Sequence, residues 1–234
     1  MPSTIDIEPL AEDAWLVRFG DTIDPDINAR VHAAAQQLRE RMPEIECVPA
    51  YASLLVRFDA TRWRGDEDAL SPQHQYDTLR SMLANIVTTT DASREVVIPV
   101  WYGGEAGPDL SVVAGHTRLT PDEVISRHCA VTYRVAMLGF APGFPYLLGL
   151  DPALAMPRRA DPRLSVPAGS VAIGGNQTGI YPQALPGGWQ LIGRTPSKLF
   201  DLHAVSPSLL LPGDRVRFHA IGQDAYEKLM EERG

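Results

Sequence analysis

The uncharged stretch Leu164–Gly193, LSVPAGSVAIGGNQTGIYPQALPGGWQLIG, decides the fold of the second half of the chain. It holds seven glycines and three prolines but no Asp, Glu, Lys or Arg. Two short apolar runs, Ser170–Ile173 and Gln190–Ile192, alternate with Gly, Pro and Asn residues that favour turns. Short apolar runs between turn residues are typical of a small β-barrel or β-sandwich. We therefore predict an all-β domain around this stretch.

A second uncharged stretch, Gly139–Leu150 with the sequence GFAPGFPYLLGL, lies upstream. Its glycines and prolines are too frequent for a helix, and its side chains are too apolar for an ordinary surface loop. Proline and aromatic rings make a rigid apolar surface at low entropic cost. One interpretation is a buried corner of the barrel. The other is a wall of a cleft and of a face that meets a partner protein, with Phe140, Phe144 and Tyr146 near the contact.

The N-terminal part of the chain alternates short apolar strands with helical patterns. Asp24-Pro25 and Ser71-Pro72 each combine an N-cap residue with a proline at the first helical position. This order of elements predicts a small α+β sandwich, ferredoxin-like in its arrangement. Thr88–Asp91 is a plausible hinge. We predict an α/β domain over residues 1–92 and the β-barrel domain over residues 93–234.

Composition excludes several classes of partner. The net charge is −8 and no Lys/Arg cluster is present, which argues against nucleic acid. No run of about 18 apolar residues is available to cross a membrane. The acidic N-terminus lacks the basic, apolar pattern of a signal peptide. Cys47 and Cys129 fit neither a disulfide framework nor metal-ligand spacing. We expect a cytoplasmic protein.

Familiar enzyme motifs are missing from the sequence. It contains no P-loop, no His-Glu-x-x-His pair and no Gly-x-Ser-x-Gly elbow. The six histidines are scattered, so no metal site is predicted. The glycine-rich segment Gly174–Gly179 lacks the lysine and the helix of a phosphate loop. We interpret it as a tight turn between strands.

Polar side chains embedded in the apolar segments are the candidates for a site. The guanidinium of Arg158 offers a planar fork for a carboxylate or phosphate, and Gln177 and Tyr181 supply neutral hydrogen bonds. This set suits an anionic small molecule in a mainly apolar cleft. The alternative is structural: arginines cover the barrel and amides satisfy turns. Further candidates for substrate binding are Arg163, Thr178 and Arg194.

His128 is a weaker catalytic candidate. The sequence Thr120–Glu123 is a capping box with proline at the first position, and it predicts a helix that runs to about Cys129. His128 then falls in the last helical turn. It either complements the helix dipole there or belongs to a site at the mouth of the barrel.

Several blocks of sequence resemble, in order, those of the 5-oxoprolinase B-subunit family, also called allophanate hydrolase subunit 1 or the sporulation kinase inhibitor family (KipI). The resemblance extends over most of residues 95–220 and, more weakly, over the N-terminal part. The blocks are Pro99–Gly104, Gly107–Asp109, Gly139–Leu147, Val166–Val171, Gln177–Pro182 and Gly187–Pro196.

This resemblance implies a cyclophilin-like β-barrel behind a small α/β domain. It implies a larger partner, the C subunit (allophanate hydrolase subunit 2-like), the two resembling the halves of a biotin-dependent carboxyltransferase domain. In family members that have a third subunit, of LamB/YcsF type, the complex uses ATP to open 5-oxoproline to glutamate, and the resemblance implies the same activity here. Two alternatives stay open: a binding protein that inhibits a sensor histidine kinase, and a subunit of an allophanate- or urea-type amidohydrolase.

Overall fold

A computed structural model describes residues 5–58, 71–86, 88 and 94–233. The chain forms two compact units, Met1–Ala92 and Ser93–Gly234. Of the predicted hinge Thr88–Asp91, only Thr88 lies among the described residues.

The first unit is an antiparallel sheet with two helices. Its elements are β1 (Asp6–Ala11), β2 (Ala14–Arg18), α1 (Pro25–Arg41), β3 (Ile45–Pro49), β4 (Ser53–Phe58) and α2 (Pro72–Met82). The strands pair in the order β1-β2-β4-β3. Both predicted helix starts are confirmed. The side chain of Asp24 accepts hydrogen bonds from the backbone N–H groups of Asp26 and Ile27 at 2.8 and 3.0 Å, and Ser71 caps α2.

The order of these elements departs from the predicted ferredoxin-like arrangement. A ferredoxin-like unit runs β-α-β-β-α-β, whereas this unit runs β-β-α-β-β-α. The edge of the sheet beside β2 is occupied by β1, its hairpin partner. The strand that follows α2 along the described chain, Glu95–Tyr102, belongs instead to the second unit. The unit contains both helices and strands, as predicted. The strand at this edge of the sheet, however, is β1, which precedes β2, and not a strand that follows α2.

The second unit is built on a closed barrel, as predicted. Its strands are β5 (Glu95–Tyr102), β6 (Tyr133–Leu138), β7 (Pro145–Leu148), β8 (Arg163–Val166), β9 (Ser170–Gly174), β10 (Gln177–Ile180), β11 (Leu185–Gly187), β12 (Gln190–Arg194) and β13 (Arg215–Ile221). Within the described residues, seven of them close in the order β10-β7-β6-β13-β5-β12-β9. The remaining two, β8 and β11, pair with each other as a separate ribbon. The helices are α3 (Leu110–Thr117), α4 (Pro121–Ala130) and α5 (Gln223–Glu231).

The lack of charge in Leu164–Gly193 follows from burial on two sides. In β9, Val171 and Ile173 belong to the core inside the barrel, while Ala172 between them belongs to a second cluster on the outer face. Successive side chains of a strand point to opposite faces, so both faces of β9 are covered. A strand buried on both faces reads as a nearly continuous apolar run.

The stretch Gly139–Leu150 contains a barrel strand that was not among those predicted from the sequence. Its strand β7 pairs with β6 on one side and with β10 on the other. The strand has only four residues, and the glycines and prolines around it hide its pattern. The residues before it, Gly139–Phe144, form the connection from β6.

The predicted capping box of α4 is confirmed. Thr120 Oγ1 accepts a hydrogen bond from the Glu123 amide at 3.2 Å, and the Glu123 carboxylate accepts one from the Thr120 amide at 2.7 Å. The helix ends at Ala130, close to the predicted end at Cys129. In the described part of the chain, no helix combines the length and apolar character needed to cross a bilayer.

Candidate active-site cleft

A cleft of about 150 Å³ opens on the outer side of the barrel. The stretch after β6, the segment before β8 and the β11–β12 connection meet there. Its lining residues are Phe140, Phe144, Tyr146, Arg158, Tyr181, Pro186, Gly187, Gly188 and Trp189. The structure therefore brings five predicted residues from three separate parts of the sequence into one place: two polar candidates and the three aromatic ones.

Aromatic rings form the body of the cleft. The Phe144 ring lies at the centre, with its centroid 4.9 Å from Tyr146, 5.2 Å from Tyr181 and 5.9 Å from Trp189. The last two contacts are edge-to-face, at 88° and 83°. Edge-to-face pairs are the favoured geometry for aromatic rings. The body of the cleft is thus a close-packed group of aromatic rings, such as line many small-molecule sites.

Arg158 is held in the cleft by its backbone neighbours. Met156 and Gly175 exchange two backbone hydrogen bonds, of 2.9 and 2.7 Å. The Gln190 side chain donates to the carbonyl of Pro157 at 3.1 Å, and the Arg159 amide donates to the carbonyl of Gly188 at 2.7 Å. We call residues 156–159 the Arg158 strap. The strap is tied to the barrel on both sides of Arg158.

The guanidinium of Arg158 lies over the indole of Trp189, with 5.7 Å between its central carbon and the ring centroid. Such a contact is a cation–π interaction. Arg159 and Arg163 pair with Asp109, whereas Arg158 has no ion-pair partner among the described residues. A cation so placed can accept an anionic ligand.

Two phenols complete the polar part of the cleft. Burial raises the pKa of Tyr181, and a backbone hydrogen bond from Trp189 together with the charge of Arg158 only partly offsets this. Burial also raises the pKa of Tyr146, again against the effect of Arg158. Both groups are therefore neutral near pH 7. A neutral phenol keeps its proton and can donate it to a ligand.

Arg163, predicted as a substrate-binding residue, pairs with a carboxylate and is not among the residues that line the cleft. It donates to Asp109 Oδ1 at 2.7 Å, and Asp109 is buried. The other oxygen of that carboxylate accepts from the Leu191 amide at 2.7 Å. This pair fastens β8 to β12. Asp109 is thus the counter-ion of Arg163.

His128 and Thr178 lie in the barrel core and not in the cleft. Both are 0% exposed. Thr178 Oγ1 donates to the carbonyl of Ala172 at 2.9 Å, so the contact of 3.1 Å to His128 Nε2 requires the imidazole to donate. His128 Nδ1 then accepts from the Tyr102 hydroxyl at 2.8 Å. Burial lowers the pKa of His128 to about 3.

Neither sequence interpretation of His128 survives this geometry. The residue does stand in the last turn of α4, but a neutral imidazole cannot complement the helix dipole as a cation. Its ring stacks on Phe218 at 4.5 Å between centroids, away from solvent. His128 is therefore a hydrogen-bonded core residue.

Gln177 and Arg194 lie outside the lining of the cleft. Gln177 is buried at the start of β10, two residues from Gly179 on the same strand. A Cβ built on Gly179 would lie 3.2 Å from the Trp189 ring and 3.3 Å from that of Phe144. Since residues two apart share one face of a strand, Gln177 shares the face that carries the cleft. Arg194 ends β12, opposite Ser170 and Trp101.

The three predicted interface residues differ in exposure. Phe144 is 2% exposed and Phe140 is 61% exposed, with Tyr146 half-buried. Phe144 therefore packs within the chain and has no surface to offer a partner. Phe140 also has a φ of 68°, a left-handed conformation that bulky residues rarely adopt. Its exposed ring at the edge of the cleft is the part of this set that a partner can reach.

Sequence reasoning did not select Trp189 or Asp109. Both stand in blocks of the family resemblance, Gly187–Pro196 and Gly107–Asp109. Membership of those blocks was the available signal, but it does not say which residue acts. Among the described residues no cluster of metal-ligating side chains is found.

The chain matches a carboxyltransferase-type domain. The family model for the carboxyltransferase domain, subdomain C and D, matches residues 5–210. The chain is also 45% identical to the B subunit of 5-oxoprolinase from Bacillus subtilis over 232 residues, 97% of each chain. It thus belongs to the 5-oxoprolinase B-subunit family within the carboxyltransferase C and D group, which confirms the resemblance.

Two solved structures show the same fold in longer chains. The protein TTHA0988 is 39% identical, with a TM-score of 0.74 over 89% of this chain, and this chain spans only 40% of it. Urea carboxylase of Kluyveromyces lactis gives a TM-score of 0.73 over 97% of this chain and 23% of that one. At 21% identity the second likeness establishes the fold alone.

Proposed function

We propose that the chain is the B subunit of an ATP-dependent 5-oxoprolinase that opens 5-oxo-L-proline to L-glutamate together with the larger C subunit. The name of the Bacillus subtilis relative supports this assignment. The observation that carries it is Arg158, a guanidinium with no ion-pair partner among the described residues, held over Trp189 in an aromatic cleft beside two neutral phenols.

The proposed substrate matches the chemistry of the cleft. 5-Oxoproline is a five-membered lactam with one carboxylate. Hydrolysis breaks the lactam C–N bond and adds one water, so the carbonyl carbon becomes a carboxylate and the ring nitrogen an amine. A cavity of about 150 Å³ admits a single ring. The ring faces aromatic walls, and its two polar ends need one cationic and one neutral partner.

The roles follow from the placement of the side chains. Arg158 binds the substrate carboxylate with its planar fork. Tyr181 donates its proton to the lactam oxygen, where negative charge develops as the carbonyl is attacked. Gln177 is a supporting donor from the same face of β10. Arg163, Thr178, His128 and Arg194 have no role in this scheme.

ATP does not fit the cleft of this chain. Drug-sized ligands fill sites of about 300–1,000 Å³, and a nucleotide is no smaller, while the cleft measures about 150 Å³. We therefore derive no step at this cleft through ATP.

A larger partner covers the cleft in this proposal. Phe140 presents an exposed ring at its edge. TTHA0988 carries the equivalent of this chain as 40% of its length, which supports a working unit larger than this chain. The cyclophilin-like character of the barrel and its role as half of a carboxyltransferase domain belong to the same proposal.

Reconstitution tests the function. The chain is combined with the C subunit and the LamB/YcsF-type subunit, and glutamate and ADP are measured with 5-oxoproline, with urea and with allophanate. Glutamate is expected only when all subunits and 5-oxoproline are present. Turnover of urea or allophanate instead would establish an amidohydrolase of that type. Capture of a histidine kinase but not of the C subunit in a pull-down would favour the regulatory alternative.

A further inference from the structure

The ring of Trp189 is closely packed against the backbone of β9 and β10 and against Phe144. A Cβ placed on Gly174 would lie within 2.6–2.7 Å of three atoms of the indole, so the ring sits directly on the backbone of β9. Gly179 on β10 leaves room for the far edge of the same ring. Phe144 packs against it edge-to-face. The indole is 5% exposed and has no space to turn.

The side chain of Arg158 has no such restraint of its own. The Arg158 strap fixes the backbone, but an arginine side chain has four rotatable bonds beyond it. Arg159 and Arg163 are oriented by the carboxylate of Asp109. Among the described residues, Arg158 has no such carboxylate beside it. Its guanidinium contacts the indole face of Trp189 instead, with 5.7 Å between the guanidinium carbon and the ring centroid. Tryptophan is the aromatic residue that holds a cation most strongly.

We infer that Trp189 is the positioning residue for Arg158. Its fixed ring sets the plane of the guanidinium, and so aims the two-pronged fork at the carboxylate of the bound substrate. A fork binds a carboxylate through two parallel hydrogen bonds only in the correct orientation. The glycines at 174 and 179 serve this function by seating the ring. The inference rests on the proposed function, in which Arg158 binds that carboxylate.

Substitution of Trp189 should affect substrate binding more than the chemical step. The carboxylate takes no part in breaking the lactam C–N bond, and it carries the same charge in the ground and transition states. Loss of such uniform binding raises KM and leaves kcat nearly unchanged. We expect Trp189→Leu to raise KM for 5-oxoproline about tenfold. Trp189→Phe keeps an aromatic face and should recover part of this loss.

A double-mutant cycle separates positioning from a merely structural role. KM is measured in the reconstituted complex for wild type, Trp189→Leu, Arg158→Ala and the double variant. If Trp189 acts through Arg158, the double variant has the KM of Arg158→Ala alone. Additive losses would overturn the inference. Trp101→Leu is the matched control, because Trp101 packs on Tyr226 outside the cleft and its loss should leave KM unchanged.

A second readout needs no turnover. In the chain labelled with ¹⁵N-arginine, the Nε–H signal of Arg158, assigned by its loss in Arg158→Lys, should carry a ring-current shift from the indole. The shift should disappear in Trp189→Leu and persist in Trp101→Leu. An unshifted signal in the wild type overturns the inference even if Trp189→Leu does not fold. If the wild-type complex shows no turnover, the proposed function is contradicted. The inference on Trp189 is then still tested, because this spectrum does not depend on turnover.

Discussion

Arg158 shows how much depends on the shape of one charged group. Arg158→Lys keeps the charge but replaces a planar fork by a point charge. We expect the melting temperature and the complex to be unchanged and kcat/KM for 5-oxoproline to fall about 10- to 100-fold, the worth of one charge-assisted hydrogen bond of about 1.5–3 kcal/mol. Arg159→Lys is the control, since Arg159 pairs with Asp109 outside the lining. Equal activity of both variants would make Arg158 structural.

His128 makes stability depend on pH in a defined direction. Its pKa is about 3 in the folded chain against an ordinary value of 6.5, so the unfolded chain takes up the proton first. This contribution to stability is complete above pH 6.5 and is lost as the pH falls towards 3, at about 1.4 kcal/mol per pH unit.

The measurement for His128 is the free energy of unfolding in urea between pH 7 and pH 5. His128→Gln has no titrating group at this position, so its stability should fall less steeply than that of the wild type. Parallel curves for the two proteins would mean that the imidazole is not buried in its neutral form.

A strand that is buried on both faces has little room for a larger side chain. The outer face of β9 carries the indole of Trp189 at Gly174, so Gly174→Ala forces a methyl group into a rigid ring. We expect a loss of about 1–3 kcal/mol in the free energy of unfolding and a higher KM, because Trp189 is displaced.

At Gly115 the same substitution, glycine to alanine, should stabilise the chain instead. It lies inside helix α3, and a Cβ built there meets no atom within 4 Å. Gly115→Ala should stabilise the chain by about 0.5–1 kcal/mol through better helix propensity, with no change in KM. Similar melting temperatures for the two alanine variants would contradict the close packing on Gly174.

Association with a partner is a property of the whole molecule, and Phe140 tests it. Its ring is exposed in the isolated chain, and Asp tolerates a left-handed backbone better than Phe does. Phe140→Asp should therefore fold normally but lose the complex with the C subunit, because a buried interface would gain an unpaired charge. Gel filtration of the mixed subunits measures this.

The controls for Phe140 lie on the same unit. Val205 is a fully exposed apolar residue outside the lining of the cleft, and Val205→Asp should leave the complex intact. Phe144→Asp is expected to unfold the chain, because Phe144 is buried among three aromatic rings. An intact complex with Phe140→Asp would place the interface elsewhere.

The sequence by itself determined the local structure and the family. The caps at Asp24 and Thr120 use atoms within three residues of each other, so their signals are complete in a short segment. The uncharged stretch Leu164–Gly193 indicated a barrel because burial on both faces excludes charge. Ordered blocks along the chain indicated the family, and the likeness to known members confirms it.

Only the tertiary structure decided which polar residues belong to a site. Arg158 and Arg163 look equivalent in the sequence. In the fold, Asp109, 54 residues away, pairs with Arg163, whereas Arg158 lies over the ring of Trp189. Burial in the barrel core lowers the pKa of His128, and its hydrogen-bond partner there, Thr178, lies 50 residues further along the chain. The charge and reach of a side chain depend on groups that are distant in the chain, and only folding sets those distances.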